Sequence, residues 1–426
     1  MELSNGLTAL LGLYVAFHLG ANDVANSMGT SVGSKALTRR RAILLAAILE
    51  FAGAVLFGRG VSATLATRLT CADRFAGDPQ VLLVGMVSVL LACGIWLQVA
   101  TSRGLPVASS HAIVGAIAGF SWVAAGVEAV RWGTIAAISI TWIATPVFSG
   151  AIAVGLYRQI DRWILTHPEA RRQLDEWLPW LSALLVGAFG AIVLPVLAQA
   201  PAIAAVLERT ENYVPERLLY LSLGAIAIVA LTVWNGWQAP DPDRGFSPIE
   251  AKFARLQVLS ACFVAFAHGA NDVGNAVAPL AAIAYIRRTG TVPGIGFEVP
   301  LPILVLGGIG IVAGLALFGK NVMTTVGEGI VSLQPSSGFC AELATAITVL
   351  LASRIGLPVS TSHALVGGAV GVGWVNARRH QQPIQGTALR GIVGTWVLTV
   401  PVGAGLGAVL FVLLRLVVSP LASIVH

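Results

Sequence analysis

The sequence predicts an all-α polytopic membrane protein, an inverted-topology repeat of about 12 membrane segments that include two helical hairpins. The first observation is composition: 56% of the 426 residues are hydrophobic and 11% are charged, with a mean hydropathy of +0.82. Soluble domains carry about 25% charged residues. The second is a series of long apolar segments, and the third is a polar motif that occurs twice. A soluble enzyme is excluded, and the net charge of +6 lies mostly in short connections, which indicates membrane topology and no nucleic-acid partner.

The apolar segments follow one another along the whole chain. Spanning a bilayer takes about 20 apolar residues. Several segments are shorter, so we expect some of them to be half-helices or re-entrant arms, notably 339–353. The segments are 7–28, 42–58, 81–101, 105–126, 133–156, 178–199, 217–238, 255–285, 300–319, 339–353, 357–376 and 389–415.

Basic residues in the connections predict the orientation, because cytoplasmic loops are rich in Lys and Arg. Lys35 and the Arg39–Arg41 run follow the first segment and place its end in the cytoplasm. Counting on, both termini lie outside the cytoplasm of a multi-pass protein of the cell membrane. Arg287 and Arg288 fall on the wrong side in this count. Met1 and Glu2 provide no basic signal region, so the first helix is expected to be retained.

Three sequence pairs reveal the repeat. The first pair is Gly20-Ala21-Asn22-Asp23-Val24, which returns as Gly269-Ala270-Asn271-Asp272-Val273. The second is a Gly-Leu-Pro-Val stretch followed by hydroxyl residues and a His, which occurs at 104–111 and again at 356–363. The third is Thr141-Trp142, which returns as Thr395-Trp396. The copies begin seven crossings apart, and an odd number inverts the second copy. Inverted repeats with interrupted helices are typical of secondary transporters whose site lies at the midplane. The predicted divisions are a first repeat 1–156, a linker with two transmembrane helices 157–252, a second repeat 253–415 and a tail 416–426.

The two Gly-Leu-Pro-Val stretches predict hairpin tips. Gly and Pro interrupt a helix, and Pro suits the first turn of the next one. The free N–H groups and positive dipole end of that next helix form a ready anion site. Two such tips, one from each half, would cradle an oxyanion near the middle of the membrane, with these hydroxyls among the expected ligands: Ser109, Ser110, Ser360, Thr361 and Ser362.

The repeated Asn-Asp motif predicts the partner for that anion. A buried unpaired Asp costs about 2.5–3.5 kcal/mol in a bilayer, even on the lenient scale. Carboxylate and amide oxygens suit Na⁺, or an Asp could carry H⁺, so cation and anion would offset each other's desolvation. Bringing all three side chains of a motif together needs local unwinding or a broad polar face. Predicted phosphate ligands here are Asn22, Asp23, Asn271 and Asp272, and predicted Na⁺ ligands are Asp23, Asn26, Asp272 and Asn275.

Other polar residues admit plainer explanations. Glu50 and Glu342 lie within apolar segments, where they could couple transport or merely orient helices. His111 and His363 are expected to be local hydrogen-bond partners. His18 and His268 are one position out of register between the repeats, so equivalent roles are not expected. The four scattered Cys residues support neither a metal site nor disulfides.

These motifs resemble those of the PiT family of inorganic phosphate transporters. That family carries a duplicated Gly-Ala/Ser-Asn-Asp-Val-Ala-Asn, matched at 20–26 and 269–275, and a Gly-Leu-Pro-Val-Ser-Thr-Thr-His-like hairpin in each half. The resemblance implies a phosphate symporter with a central site shared by two halves, no cofactor, and Na⁺ or H⁺ as coupling ion. It also favours the site residues named above, Glu50 and Glu342 included. Ala108, often Ser in the family, leaves the first hairpin one hydroxyl short, while Gly274 and Ala278 replace the more usual Ala and Gly.

Several alternatives stay open at this point. The same architecture could carry sulfate or another tetrahedral oxyanion, or it could form an anion channel. An aspartyl hydrolase using Asp23 and Asp272 would need the two carboxylates to share a proton, but it would leave the hairpins without a role. The expected partners are inorganic phosphate and the lipid bilayer, with a homodimer as one assembly state.

Overall fold

A computed structural model describes residues 2–105, 107–198, 223–231, 246–294, 296–329, 331–379 and 384–422. In these ranges the chain is helical, and its extended pairing is limited to one isolated bridge between Thr70 and Val130. Residues 223–231 are also helical, inside the predicted segment 217–238, whose remainder lies outside the described residues. The helices are α1 (Glu2–Gly33), α2 (Arg39–Phe57), α3 (Arg59–Thr67), α4 (Pro79–Ser102), α5 (Ser109–Ala125), α6 (Trp132–Ile160), α7 (Ala170–Leu197), α8 (Pro248–Asp272), α9 (Gly274–Thr289), α10 (Leu301–Gly329), α11 (Pro335–Arg354), α12 (Thr361–Arg379) and α13 (Gly386–Ala422).

The polytopic prediction is confirmed. Among the described residues, eight helices are long and apolar enough to cross a membrane, or nine if α2 and α3 form one span bent by 59°. Helices α4 and α5 form the first predicted hairpin, and α11 and α12 form the second. Both tips turn at a glycine in the left-handed region, Gly104 at φ +64° and Gly356 at φ +71°, where residues with a Cβ are strained.

The two hairpins have their bases at opposite ends of the helix bundle. At the end where α1 begins, Arg287 of α9 donates to Thr8, and a cavity joins the connection after α3 to the connection after α9. The base of α4–α5 lies at this end, which we call the amino-terminal end. At the other end Arg379 pairs with Asp161, and the Ser336 amide at the base of α11–α12 donates to Glu250 over 2.8 Å. This arrangement supports the inverted relation of the halves, which stays a prediction, as do the boundaries between them.

Glycines let helices of one half cross helices of the other at very short range. A Cβ on Gly20 of α1 would lie 1.9 Å from the Ile311 carbonyl oxygen of α10, and one on Gly314 would lie 1.8 Å from that of Phe17. The same reciprocal contact joins α2 to α8, where Gly53 faces Phe266 and Gly269 faces Glu50. Small residues at such crossings allow close packing in lipid, so the segments that carry the Asn-Asp motifs are held tightly.

Two local expectations need correction, and the two copies of the Asn-Asp motif differ in local structure. The short segment 339–353 is part of a full 20-residue helix, Pro335–Arg354, because Pro335 provides the first turn and Gln334 and Ser337 form a capping box. The segment 42–58 does not end at Gly58 but continues, bent, into α3. The two motif copies also differ: α1 runs unbroken through Asn22 and Asp23, whereas the second copy breaks between α8 and α9 at Val273.

Candidate functional site

The second Asn-Asp motif lies against the tip of the second hairpin. Asn271 Nδ2 donates to the Val359 carbonyl over 2.7 Å and to Asp272 Oδ1 over 2.6 Å. The hydroxyl of Thr361, the first residue of α12, donates to Asp272 Oδ2 over 2.8 Å. All four residues are buried. The break at Val273 therefore leaves Asp272 at the end of α8, facing the start of another helix.

The first motif has a corresponding arrangement with the first hairpin. Asn22 Nδ2 donates to the Thr101 hydroxyl over 3.1 Å and to the Leu105 carbonyl over 3.3 Å. Asn26 Nδ2 donates to Asp23 Oδ1 over 3.1 Å, so here a broad polar helix face, not unwinding, brings the motif together. Ser109, the first residue of α5, faces the Asp23 carboxylate. Each motif thus holds the hairpin tip of its own half.

The two halves meet between these motifs. One oxygen of Asp23, one oxygen of Asp272 and one ring nitrogen of His268 lie within 4.8 Å of one another. Across the halves, Asn275 Nδ2 donates to the Ser109 hydroxyl over 3.2 Å. Two carboxylates this close in a buried site repel each other strongly unless positive charge lies between or beside them. The geometry therefore suits a bound cation.

Some polar atoms at this centre have no hydrogen-bond partner among the described residues. They include the amide oxygens of Asn22 and Asn275, the Oδ2 carboxylate oxygen of Asp23 and the hydroxyl of Ser110, all buried. Buried polar groups are nearly always hydrogen-bonded. Two amide oxygens and a hydroxyl, next to two carboxylates, are the groups that would coordinate a hard cation and bond to an oxyanion.

The two helix starts are capped differently. In the second hairpin the Ser360 hydroxyl accepts from the His363 amide over 3.3 Å and lies 2.9 Å from the Ser362 hydroxyl. In the first hairpin the equivalent capping residue is Ala108, which offers no side-chain bond. There the His111 amide donates instead to the backbone carbonyl of Ala108, over 3.0 Å.

His268 links the centre to Glu50. Its Nε2 lies 2.8 Å from Asp272 Oδ2 and its Nδ1 lies 3.1 Å from Glu50 Oε2, while the Ser27 hydroxyl donates to Glu50 Oε1 over 2.7 Å. Glu50 and His268 are fully buried. The imidazole of His268 therefore bridges Glu50 and Asp272 of the second motif. His18 has a different setting, edge-on to Tyr14, which agrees with the expectation that the two histidines are not equivalent.

Glu342 lies away from the centre, in a complete cage of donors. Its Oε1 accepts from Thr30 and Ser31, each over 2.6 Å, and from Gln257 over 3.1 Å, while Oε2 accepts from Ser260 over 2.7 Å. Thr30 follows Asp23 by seven residues, about 10 Å along a helix. Glu342 therefore joins α1, α8 and the second hairpin, and it is not a direct neighbour of the Asp pair.

The two hairpin histidines are hydrogen-bonded across the halves. His363 Nδ1 lies 2.8 Å from the Trp142 carbonyl of α6, and His111 Nδ1 lies 3.1 Å from the Trp396 carbonyl of α13. Pro146 has no N–H, so the Trp142 carbonyl four residues earlier lacks its helix partner and is free to accept. The Thr-Trp echo in the sequence is thereby explained: each copy anchors the opposite hairpin.

The structure therefore brings together most of the predicted site residues. Sequence reasoning missed Thr101, and it gave His268 no role at the site. The sequence held a signal for His268, because it precedes Asp272 by four residues and so shares a helix face with it. Thr101 carried no such signal, since its contact with Asn22 depends on the depth of the hairpin. The residues that lie at or beside the centre are Asn22, Asp23, Asn26, Ser109, Ser110, Asn271, Asp272, Asn275, Ser360, Thr361 and Ser362.

A helical bundle with a buried acidic site between two hairpin tips defines a class, the integral membrane transporters with interrupted helices. Comparison with known proteins gives the family. Residues 19–407 match the phosphate transporter family, so the chain belongs to it.

Individual relatives agree with this assignment. The chain is 37% identical to inorganic phosphate transporter 2-1, chloroplastic, of Arabidopsis thaliana over 96% of its length and 72% of that protein. It is 37% identical to a putative phosphate permease of Haemophilus influenzae, with 96% of each chain covered. A solved structure described as the sodium-dependent phosphate transporter matches with a TM-score of 0.86 and 35% identity, over 98% of this chain and 100% of that one. The protein is thus a membrane transporter and not an enzyme.

Proposed function

We propose that the chain imports inorganic phosphate by Na⁺ symport with alternating access. The observation that carries the proposal is the pair Asp23 and Asp272, which approach within 4.8 Å at the tips of both hairpins. Phosphate is itself an anion, so it binds beside two carboxylates only together with cations. Na⁺ held by the Asp and Asn oxygens would offset this repulsion and make the binding of each ion depend on the other.

In this proposal the hairpin starts hold the phosphate. N–H groups at a helix N-terminus favour an anion, and the hydroxyls of Ser109, Ser110 and Thr361 lie at these starts. The carboxylates of Asp23 and Asp272, with Asn26 and Asn275, hold the cation. Asn22 and Asn271 position the tips, and Glu50 acts through His268. Glu342 is assigned to fixing the hairpin relative to α1.

Na⁺ is favoured over H⁺ because the donors are carboxylate and amide oxygens, the ligands of hard cations, and because a structural relative is described as sodium-dependent. The proposed location is the cell membrane, with the basic end of the bundle in the cytoplasm and both termini outside it. The homodimer expected from the sequence stays a prediction.

A second candidate is transport of sulfate or another tetrahedral oxyanion. It is favoured by Ala108, whose missing hydroxyl changes the hydrogen bonds available to the anion at the first tip. A channel is less favoured, since a channel has no need of two buried carboxylates facing each other.

Uptake of labelled phosphate into proteoliposomes tests these alternatives. We expect concentrative uptake with an inward Na⁺ gradient at two pH values, and none when choline replaces Na⁺. Unlabelled phosphate and arsenate should compete, and sulfate should not. Uptake driven by a pH gradient without Na⁺ would show that H⁺ is the coupling ion. Competition by sulfate but not by phosphate or arsenate would show that the substrate is sulfate.

A further inference from the structure

A cavity of about 1010 Å³ lies at the amino-terminal end of the bundle, above the second hairpin tip. Its walls are α3, the connection after α3, the start of α6 and the connection after α9. Arg68, Arg131 and Arg354 line it, together with Asp73. Three arginines against one aspartate give the lining a net formal charge of +2. We call this space the arginine cavity.

Two of these arginines are not engaged by the part of the chain that the structure describes. Arg68 and Arg131 are exposed and have no ion pair or side-chain hydrogen bond with any described residue. Among the described residues, the guanidinium of Arg354 donates one hydrogen bond, to the Ala191 carbonyl over 3.4 Å. By contrast, nearby Arg74 is paired with Glu128. Unpaired guanidinium groups in one concave space are well suited to a phosphate, which they bind in a bidentate manner.

The floor of the arginine cavity is formed where α3 contacts the tip of the second hairpin. Gly60 and Thr64 of α3 meet Gly356 at the second hairpin tip, where an added Cβ would lie 3.1 Å from the Gly60 carbonyl oxygen and 3.2 Å from the Thr64 hydroxyl. Three residues further on, the Val359 carbonyl accepts from Asn271 of the central site. A close contact of α3 with the hairpin tip therefore separates the cavity from the central site.

We propose that the arginine cavity is an outer binding site for inorganic phosphate, occupied before the second hairpin tip separates from α3. Arg68 and Arg131 hold the anion, and Thr67 and Thr64 offer hydroxyls along the way to the tip. The inference rests on the proposed phosphate transport and adds to it a capture step. Positive charge in a concave site raises the local concentration of an anion and its rate of association.

The test compares uptake kinetics of wild type and of Arg68→Gln with Arg131→Gln, singly and together, in phosphatidylcholine vesicles with a Na⁺ gradient. We expect the double variant to raise the KM for phosphate about tenfold, the scale of losing charged hydrogen bonds, with a maximal rate within about twofold of wild type. The retained maximal rate shows that the variant is folded. Arg→Lys at both positions should restore much of the affinity, because Lys keeps the charge.

Arg74→Gln is the matched control. It removes the same charge from the same end of the bundle but lies outside the cavity lining and in an ion pair. The KM of Arg74→Gln should stay at the wild-type value. If its KM rises as much as that of the cavity variants, the effect comes from general surface charge, and the proposed outer site is wrong. An unchanged KM in the double variant, with normal wild-type uptake, would also overturn it and leave the transport function intact. Absence of wild-type uptake would defeat the transport function and the outer site with it.

A lipid headgroup offers the same phosphate chemistry. The experiment is therefore repeated in vesicles that contain phosphatidylglycerol. If the arginines hold lipid, the double variant differs from wild type only in the anionic vesicles, and wild-type uptake depends on that lipid. That result would show that the ligand of the arginine cavity is a lipid headgroup and not free phosphate. An equal rise of KM in both kinds of vesicle supports the proposal.

Discussion

Thr361 shows how a single side chain fixes a carboxylate at this site. Its hydroxyl donates to Asp272 Oδ2 over 2.8 Å, and His268 approaches the same oxygen at 2.8 Å. The other carboxylate oxygen, Oδ1, accepts from Asn271. Asp272 is thus oriented on both oxygens, so its position is set before any ion arrives. Such preorganisation lowers the cost of ordering on binding.

We expect Thr361→Val to weaken the apparent affinity for Na⁺ about tenfold or more. Val keeps the shape but removes a hydrogen bond to a charged group, which contributes about 1.5–3 kcal/mol. Thr361→Ser, which keeps the hydroxyl, is the matched control and should remain near wild type. The measurement is the Na⁺ dependence of phosphate uptake. Equal Na⁺ affinities in the Val and Ser variants would show that the hydroxyl does not position Asp272.

At the scale of elements, crossed helices carry the two motifs. Gly269 of α8 stands directly before the Ala270–Asp272 stretch and faces the Glu50 carbonyl of α2, with no space for a Cβ. The same crossing contains the contact from Glu50 to His268. The close packing of α2 on α8 and the contact between Glu50 and His268 therefore lie at the same helix crossing.

Gly269→Ala should lower the thermal stability of the purified protein, because its Cβ would lie 2.0 Å from a backbone oxygen and α2 and α8 must move apart. Overpacking of this kind costs about 1–3 kcal/mol. Gly155→Ala and Gly394→Ala are the controls, since nothing lies within 4 Å of a Cβ at either position. These two should melt at or slightly above the wild-type temperature, because Ala favours a helix over Gly. A Gly269→Ala variant that melts with the controls would mean that the crossing is looser than described.

The elements also show what the sequence could predict. Gly104 and Gly356 marked both hairpin turns, but the expectation that Pro lies in the first turn of the next helix is wrong, because those helices begin three residues after the Pro, at Ser109 and Thr361. Glu342 marked a buried acid, but its four donors come from α1 and α8, more than 80 residues away for Gln257 and more than 300 for Thr30. No periodicity encodes such contacts, because they depend on how the helices cross. How the helices cross also decides why α1 is continuous through the first motif whereas the second motif is interrupted between α8 and α9.

At the scale of the molecule, the two predicted halves contribute residues to one site. Each half provides an Asn-Asp motif and a hairpin tip, and Asn275 bonds to Ser109 across the halves. If cation and anion share this space, as proposed, binding of each strengthens binding of the other by the same factor. Damage to either half should therefore remove the coupling as a whole.

The most direct measurement is equilibrium binding of ³²P-phosphate to the purified protein, with Na⁺ or with choline. Wild type is expected to bind phosphate more tightly in Na⁺ by a factor in the usual coupling range of about 5 to 150. Asp23→Asn and Asp272→Asn, one in each half, should each abolish that gain, whereas Asp78→Asn, at an exposed helix cap, should keep it. Retention of the full Na⁺ effect in either of the two central variants would contradict a site shared by both halves.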